Sequence, residues 1–144
     1  MKITVYMLLL LGLCFSCNNA EKLDKEAQTY LDKSMERGEI VYNTSCLKCH
    51  GADGIGTEAH YPPLALSDWL TDKRVPTMQA IRKGLRGPIT VNNIGYNSIM
   101  IPVKLSNEEL ADVLNYIMNS WGNKQEKIVT PEEVAAMPSK RVPF

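Results

Sequence analysis

The segment Cys46-Leu47-Lys48-Cys49-His50 constrains this chain more than any other. It is C-x-x-C-H, the pattern by which a haem is attached covalently. The spacing has a chemical reason. Two thiols three residues apart at a helix end can reach the two vinyl groups of one porphyrin, and the adjacent imidazole then points at the iron from the same side. The chain has four Cys and only two His, so every metal hypothesis must use nearly all of them. Three other readings stay open on the residues alone. A Cys46–Cys49 disulfide would suit an oxidising compartment. A thioredoxin-like redox pair would want a βαβ pattern, which is absent. A four-ligand zinc site would have to take Cys46, Cys49, His50 and His60.

The second ligand to such an iron should be a soft sulfur or an imidazole from further along the chain. Of seven Met, Met1 and Met7 sit in the first apolar run and Met35 lies upstream of the motif. Met78 and Met118 fall in helical stripes, and Met137 lies in the tail. Met100 is left, in the irregular stretch Gly95 to Pro102 before the last helix. His60 is its rival.

The N-terminal residues read as an address. Lys2 precedes an apolar run from Ile3 to Phe15, which as a helix is roughly 20 Å long, short of the ~30 Å hydrocarbon core. The run ends Leu13-Cys14-Phe15-Ser16-Cys17. A Cys after a small residue at that place resembles a bacterial lipoprotein signal, so residues 1–16 are expected to be removed and Cys17 to carry lipid. Cleavage before Cys14, or an ordinary signal peptide, are the alternatives. Residues 17–33 are polar and charged and are expected to form a tether, with at most a fraying helical stretch from Leu23 to Leu31. Localisation is then exported, on the periplasmic side, with the membrane reached through the lipid.

Residues 34 to 123 resemble a class I monohaem cytochrome c. The resemblance is carried by Gly38-Glu39-Ile40-Val41-Tyr42 leading into the Cys46–His50 motif, by Tyr61-Pro62-Pro63-Leu64, and by Tyr96-Asn97-Ser98-Ile99-Met100 with the helix that ends Asn119-Ser120-Trp121-Gly122-Asn123. One departure is Ile101, which separates Met100 from Pro102 where the family has Pro directly after the ligand Met. The resemblance implies an all-α cytochrome c fold, three to four short helices and long loops around one haem c held by Cys46 and Cys49. It implies axial ligation by His50 and Met100, with the carbonyl of Pro63, or else Pro62, fixing the imidazole. Leu64 would pack on the ring, and Trp69, Tyr96 or Asn97 would donate to a propionate or steady the Met loop. It also implies a one-electron carrier rather than an enzyme. Its partners would be a terminal oxidase, a nitrite reductase or a dehydrogenase, or it would be a haem subunit of such a complex. A labile Met100 would instead give a sensor or a peroxidase-like protein. No small-molecule substrate is expected.

The pattern of helices agrees. A first helix is expected over 34–45, with Ser34 as N-cap. Gly38 inside it suggests close approach of the last helix, with Gly38 and Tyr42 against Val113 and Tyr116. A helix is expected from Thr77 to Leu85. Ser106 to Glu109 reads as a capping box, flanked by Leu105 and Leu110 as a staple. The stripe Leu110, Val113, Leu114, Ile117, Met118, Trp121 follows, with Gly122 as the stop. Thr130-Pro131-Glu132-Glu133 predicts a brief helix to about Met137 in a tail, residues 124–144. The loops 51–63 and 86–102 are long for a compact domain. The second holds only a short strand-like run, Ile89 to Val91, and no sheet pattern is legible. A flat apolar macrocycle at the centre would give such loops something to pack on.

Formal net charge is zero, which argues against nucleic-acid binding. The distribution is uneven: Lys73, Arg74, Arg82, Lys83, Arg86 and Lys104 fall in a stretch with no acidic residue. This block is expected either to offset haem propionates and dock an acidic partner, or to be a solvated surface.

Overall fold

The structure, a computed structural model, describes residues 2–57 and 60–141, with side chains from residue 21 onward. The lipidation reading at Cys17 lies outside the described side chains. The chain divides into two compact units, Met1–Lys33 and Ser34–Phe144.

In the first unit the described backbone is helical throughout, part of α1 (Lys2–Ser45). Residues 17–33 are therefore helical throughout, beyond the fraying stretch from Leu23 to Leu31 expected within the tether. No Gly or Pro interrupts the chain from Asn18 to Arg37, and side chains four apart pair along it, Gln28 with Asp32 at 2.7 Å and Lys22 with Glu26 at 3.8 Å. Among the described residues no helix is long and apolar enough to cross a membrane.

The second unit begins at Ser34, which is not the N-cap its residue type suggested. It sits inside α1, fully buried, and donates its hydroxyl to Asp112 Oδ1 at 2.6 Å. The same carboxylate takes Arg37 Nε at 2.7 Å and Nη2 at 2.8 Å. Asn115 Nδ2 donates to the Ser34 hydroxyl at 2.9 Å. Gly38 allows this crossing, because a Cβ there would overlap the Asp112 carbonyl. Tyr42, one turn on, stacks at a tilt against Tyr116 and Trp121, ring centroids 5.4 and 5.0 Å away.

After α1 come a single turn, α2 (Leu47–His50), then α3 (Asp68–Asp72) and α4 (Arg74–Lys83). α3 was not legible in the sequence, and α4 starts three residues before the expected Thr77. Gly84, at φ 72°, ends α4. The loop that showed no sheet pattern contains an antiparallel hairpin, β1 (Ile89–Val91) and β2 (Ile94–Tyr96). Asn92 and Asn93 both adopt positive φ at its turn, as a two-residue hairpin loop requires.

α5 (Asn107–Ile117) has the capping box in full: Ser106 Oγ accepts from Glu109 N, and Glu109 Oε2 accepts from Ser106 N at 2.7 Å. It ends at Ile117, earlier than the Gly122 stop suggested, and Trp121 and Gly122 follow in a turn with positive φ. Its buried stripe, Leu110, Val113, Leu114 and Ile117, forms the core with Tyr42, Leu70 and Met78. Thr130 caps α6 (Pro131–Ala135), which puts Val134 into the same core.

Candidate functional site

α2 exists because the chain turns tightly at the motif. Cys46 N–H still bonds back to Tyr42, the N–H groups of Cys49 and His50 both reach the Cys46 carbonyl at 3.1 and 3.0 Å, and Gly51, at φ 77°, stops the turn. Tyr42 Oη donates to the Gly51 carbonyl at 2.6 Å and ties this turn to the core.

His50 is buried, and its Nδ1 lies 3.1 Å from the Pro62 carbonyl. A carbonyl only accepts, so Nδ1 carries the proton and Nε2 keeps its lone pair. Burial lowers the imidazole's pKa, partly countered by the Pro62 bond, which favours the neutral ring. A neutral imidazole with one nitrogen tied is what a metal-ligating His needs. The expected carbonyl was that of Pro63; the structure uses Pro62. The Tyr61 carbonyl accepts from Thr57, and the N–H groups of Leu64 and Ala65 turn to the Gly54 carbonyl, which leaves the Pro62 carbonyl facing the ring.

Cys46 and Cys49 are not joined in a disulfide. Burial, and then the neighbouring Cys49, push the Cys46 thiol up to about 11. A buried protonated thiol is a poor metal thiolate, whereas a thioether has no proton to lose. Among the described residues no three His, Cys, Asp or Glu side chains converge as zinc ligands would.

Cys46, His50 and Met100 line one apolar cavity, together with Pro63, Leu64 and Trp69. It continues into a wider space of about 1190 Å³, including its open mouth, where Cys49, His60 and Tyr96 join the wall. Met100 is half-buried and fixed through its backbone. It exchanges N–H···O bonds with Leu85 at 2.9 Å in both directions, an isolated bridge next to the end of α4. Leu64 is steadied by Asn123 Nδ2, 2.8 Å from its carbonyl. Trp69 and Tyr96 also border an open groove with Lys73 and Asn97, and Asn97 is exposed there. His60 is exposed at the mouth, its ring edge-on to Tyr61. The sequence did not single out Thr77, Ile81, Leu85, Val91, Val113 and Ile117 as wall residues. A stripe of apolar residues has the same period whether it faces other side chains or an internal ligand.

A cavity with apolar walls, two thiols on one turn, a tied imidazole and a thioether sulfur has the donor set of a covalent haem site in an electron-transfer domain. The family model described as Cytochrome c matches residues 35–121. Cytochrome c-552 of Thermus thermophilus is 33% identical over 114 residues, covering 73% of this chain and 86% of that protein. The cytochrome c subunit of alcohol dehydrogenase (quinone) from Gluconacetobacter polyoxogenes is 32% identical over 104 residues, 69% of this chain but 22% of the subunit. The gluconate 2-dehydrogenase cytochrome c subunit of Pantoea cypripedii is 32% identical over 106 residues, 71% of this chain and 24% of that subunit. The chain belongs to the cytochrome c family. It is an all-α electron-transfer domain built for a covalently bound c-type haem, and it is not itself catalytic.

Proposed function

We propose that the chain is a one-electron carrier holding one haem through thioethers at Cys46 and Cys49, with His50 and Met100 as the two axial ligands. The observation that carries this is the shared cavity, in which a neutral imidazole fixed by Pro62 and a methionine fixed by the Leu85 bridge line the same wall as Cys46. The haem, when bound, supplies a one-electron ferric–ferrous couple. The chain's own residues set its conditions. His50 and Met100 leave no open position for a substrate, Leu64, Ile81 and Ile117 exclude water, and methionine ligation raises the potential above that of two-histidine ligation. Trp69, Tyr96 and Asn97 border the groove beside the cavity, where propionates would need donors.

The partner is a membrane or periplasmic redox protein. A dehydrogenase is favoured over an oxidase or a nitrite reductase, because two of the three relatives named above are dehydrogenase subunits. Cys17, the Cys that ends the N-terminal apolar run, would carry a lipid that keeps the carrier at the periplasmic face of a membrane.

Acid–acetone extraction tests the covalent reading. One haem per chain should stay with the wild-type polypeptide, and a Cys46→Ala/Cys49→Ala double variant should lose it. Haem extracted from the wild type would overturn the assignment. The anchor is tested by Cys17→Ser, which should move the matured protein from the membrane to the soluble fraction. An unchanged distribution would refute lipidation there.

A further inference from the structure

The chain beyond residue 121 lies outside the family match, and from residue 124 on it adds no side chain to the cavity wall described above. It is nevertheless fastened at intervals along its length. Asn115 of α5 holds Val129 by two bonds, Nδ2 to its carbonyl at 2.9 Å and Oδ1 from its N–H at 2.8 Å. Arg74 grips Glu133 with two bonds, at 2.7 and 2.8 Å, and also reaches the carbonyls of Lys127 and Ile128. Fully buried Gln79 donates to the carbonyls of Pro138 and Lys140, and Lys83 Nζ donates to those of Pro138 and Ser139. Finally Arg141 returns to the end of α4, Nη1 to the Gly84 carbonyl at 2.8 Å and Nη2 to that of Lys83 at 3.3 Å. Carbonyls at a helix C-terminus lack helical partners, and a guanidinium there also meets the negative end of the helix dipole.

Met100 is held by the same turn of chain. Leu85 bridges to it in both directions, the Ile81 carbonyl accepts from Val103 N at 2.9 Å, and a Cβ on Gly84 would press on the Met100 carbonyl. The tail and the Met100 segment therefore both fasten on residues 79 to 85. We propose that residues 124–141 are a strap that sets how firmly Met100 is kept in the cavity, with Arg141 as a positioning residue. The proposal rests on Met100 being the axial ligand. Removing Arg141 frees the Lys83 and Gly84 carbonyls, the turn opens more often, and the sulfur yields more readily to a competing ligand.

The test uses the full-length haem-loaded protein as wild type, Arg141→Ala and Arg37→Ala. Arg37 pairs with Asp112, which reaches the tail only indirectly, through Ser34 and Asn115 at Val129, so its loss softens the fold while the Arg141 bonds to Lys83 and Gly84 stay intact. Ferric protein is titrated with imidazole while the far-red sulfur-to-iron band is followed, and amide hydrogen exchange is read at Leu85 and Met100. Arg141→Ala should bind imidazole about three- to fivefold more tightly and exchange faster at both amides, while Arg37→Ala lowers the Tm and changes neither. Unchanged imidazole affinity and exchange in Arg141→Ala overturns the strap. An equal gain in Arg37→Ala overturns it too, since it makes the effect general softening. A wild type with no far-red band overturns Met100 ligation and the strap with it, whereas a wild type with the band and an unaltered Arg141→Ala overturns the strap alone.

Discussion

Gly38 sits at the helix crossing with no room for a side chain. Its missing Cβ lets α1 lie on the Asp112 carbonyl of α5, and Ala there would have to push two helices apart. Gly38→Ala is expected to destabilise the haem-loaded protein by about 1–3 kcal/mol, read as a fall in Tm. An unchanged Tm would mean that the crossing relaxes freely. The glycine was legible in the sequence because it interrupts a helix at a cost, and a cost needs a reason. Ser34 was misread for a related cause: a serine looks the same as a cap or as a buried donor until its partner is known, and Asp112 lies 78 residues away. Pro62 and Pro63 are neighbours, and residue identity does not say which carbonyl faces His50. The thiols and His50 were plain, since covalent attachment fixes both residue types and spacing.

Among the elements, α5 was the most legible, because its start is written in local chemistry. Ser106 and Glu109 satisfy each other's backbone N–H groups. Ser106→Ala should cost about 1 kcal/mol in thermal or denaturant unfolding, with the spectrum of the bound haem unaltered. A loss well below that would show that the cap is replaced by solvent. The hairpin β1–β2 was legible only in its first strand. Its strands are three residues each, and its turn is Asn92-Asn93, with no glycine to announce two positive φ values. Asn92 is also engaged elsewhere: its N–H meets Asp68 Oδ1 at 2.9 Å, and its side chain meets Asp68 N and the Leu66 carbonyl. Contacts 24 to 26 residues apart select this turn, and no local pattern encodes them.

At the scale of the second unit, part of the basic stretch has a use within the chain that its composition did not suggest. Arg74 and Lys83 are occupied by the tail and Arg82 is half-buried, its Nε and Nη2 out of solvent, which leaves Lys73, Arg86 and Lys104 as the members of that block for a docking surface. The Arg74–Glu133 pair makes the tail's attachment pH-dependent. Hydrogen bonds from Arg74 hold the Glu133 carboxyl below the ordinary carboxylate range, despite some opposing desolvation. A depressed folded-state pKa contributes stability that is fully present above the unfolded value and is lost as pH falls through the folded one. The Tm of wild type should therefore exceed that of Glu133→Gln at neutral pH, and the two curves should converge in acid. A gap that persists in acid would contradict this origin.

The central claim is that His50 and Met100 together close the iron's coordination. Its most direct test is the visible and far-red absorption spectrum of the haem-loaded protein, oxidised and reduced, beside Met100→Ala. The account predicts sharp low-spin reduced bands, a far-red sulfur-to-iron band in the oxidised wild type, no reaction of the reduced form with carbon monoxide, and loss of the band in the variant. A high-spin or carbon-monoxide-reactive wild type, or a far-red band that survives in Met100→Ala, would contradict it.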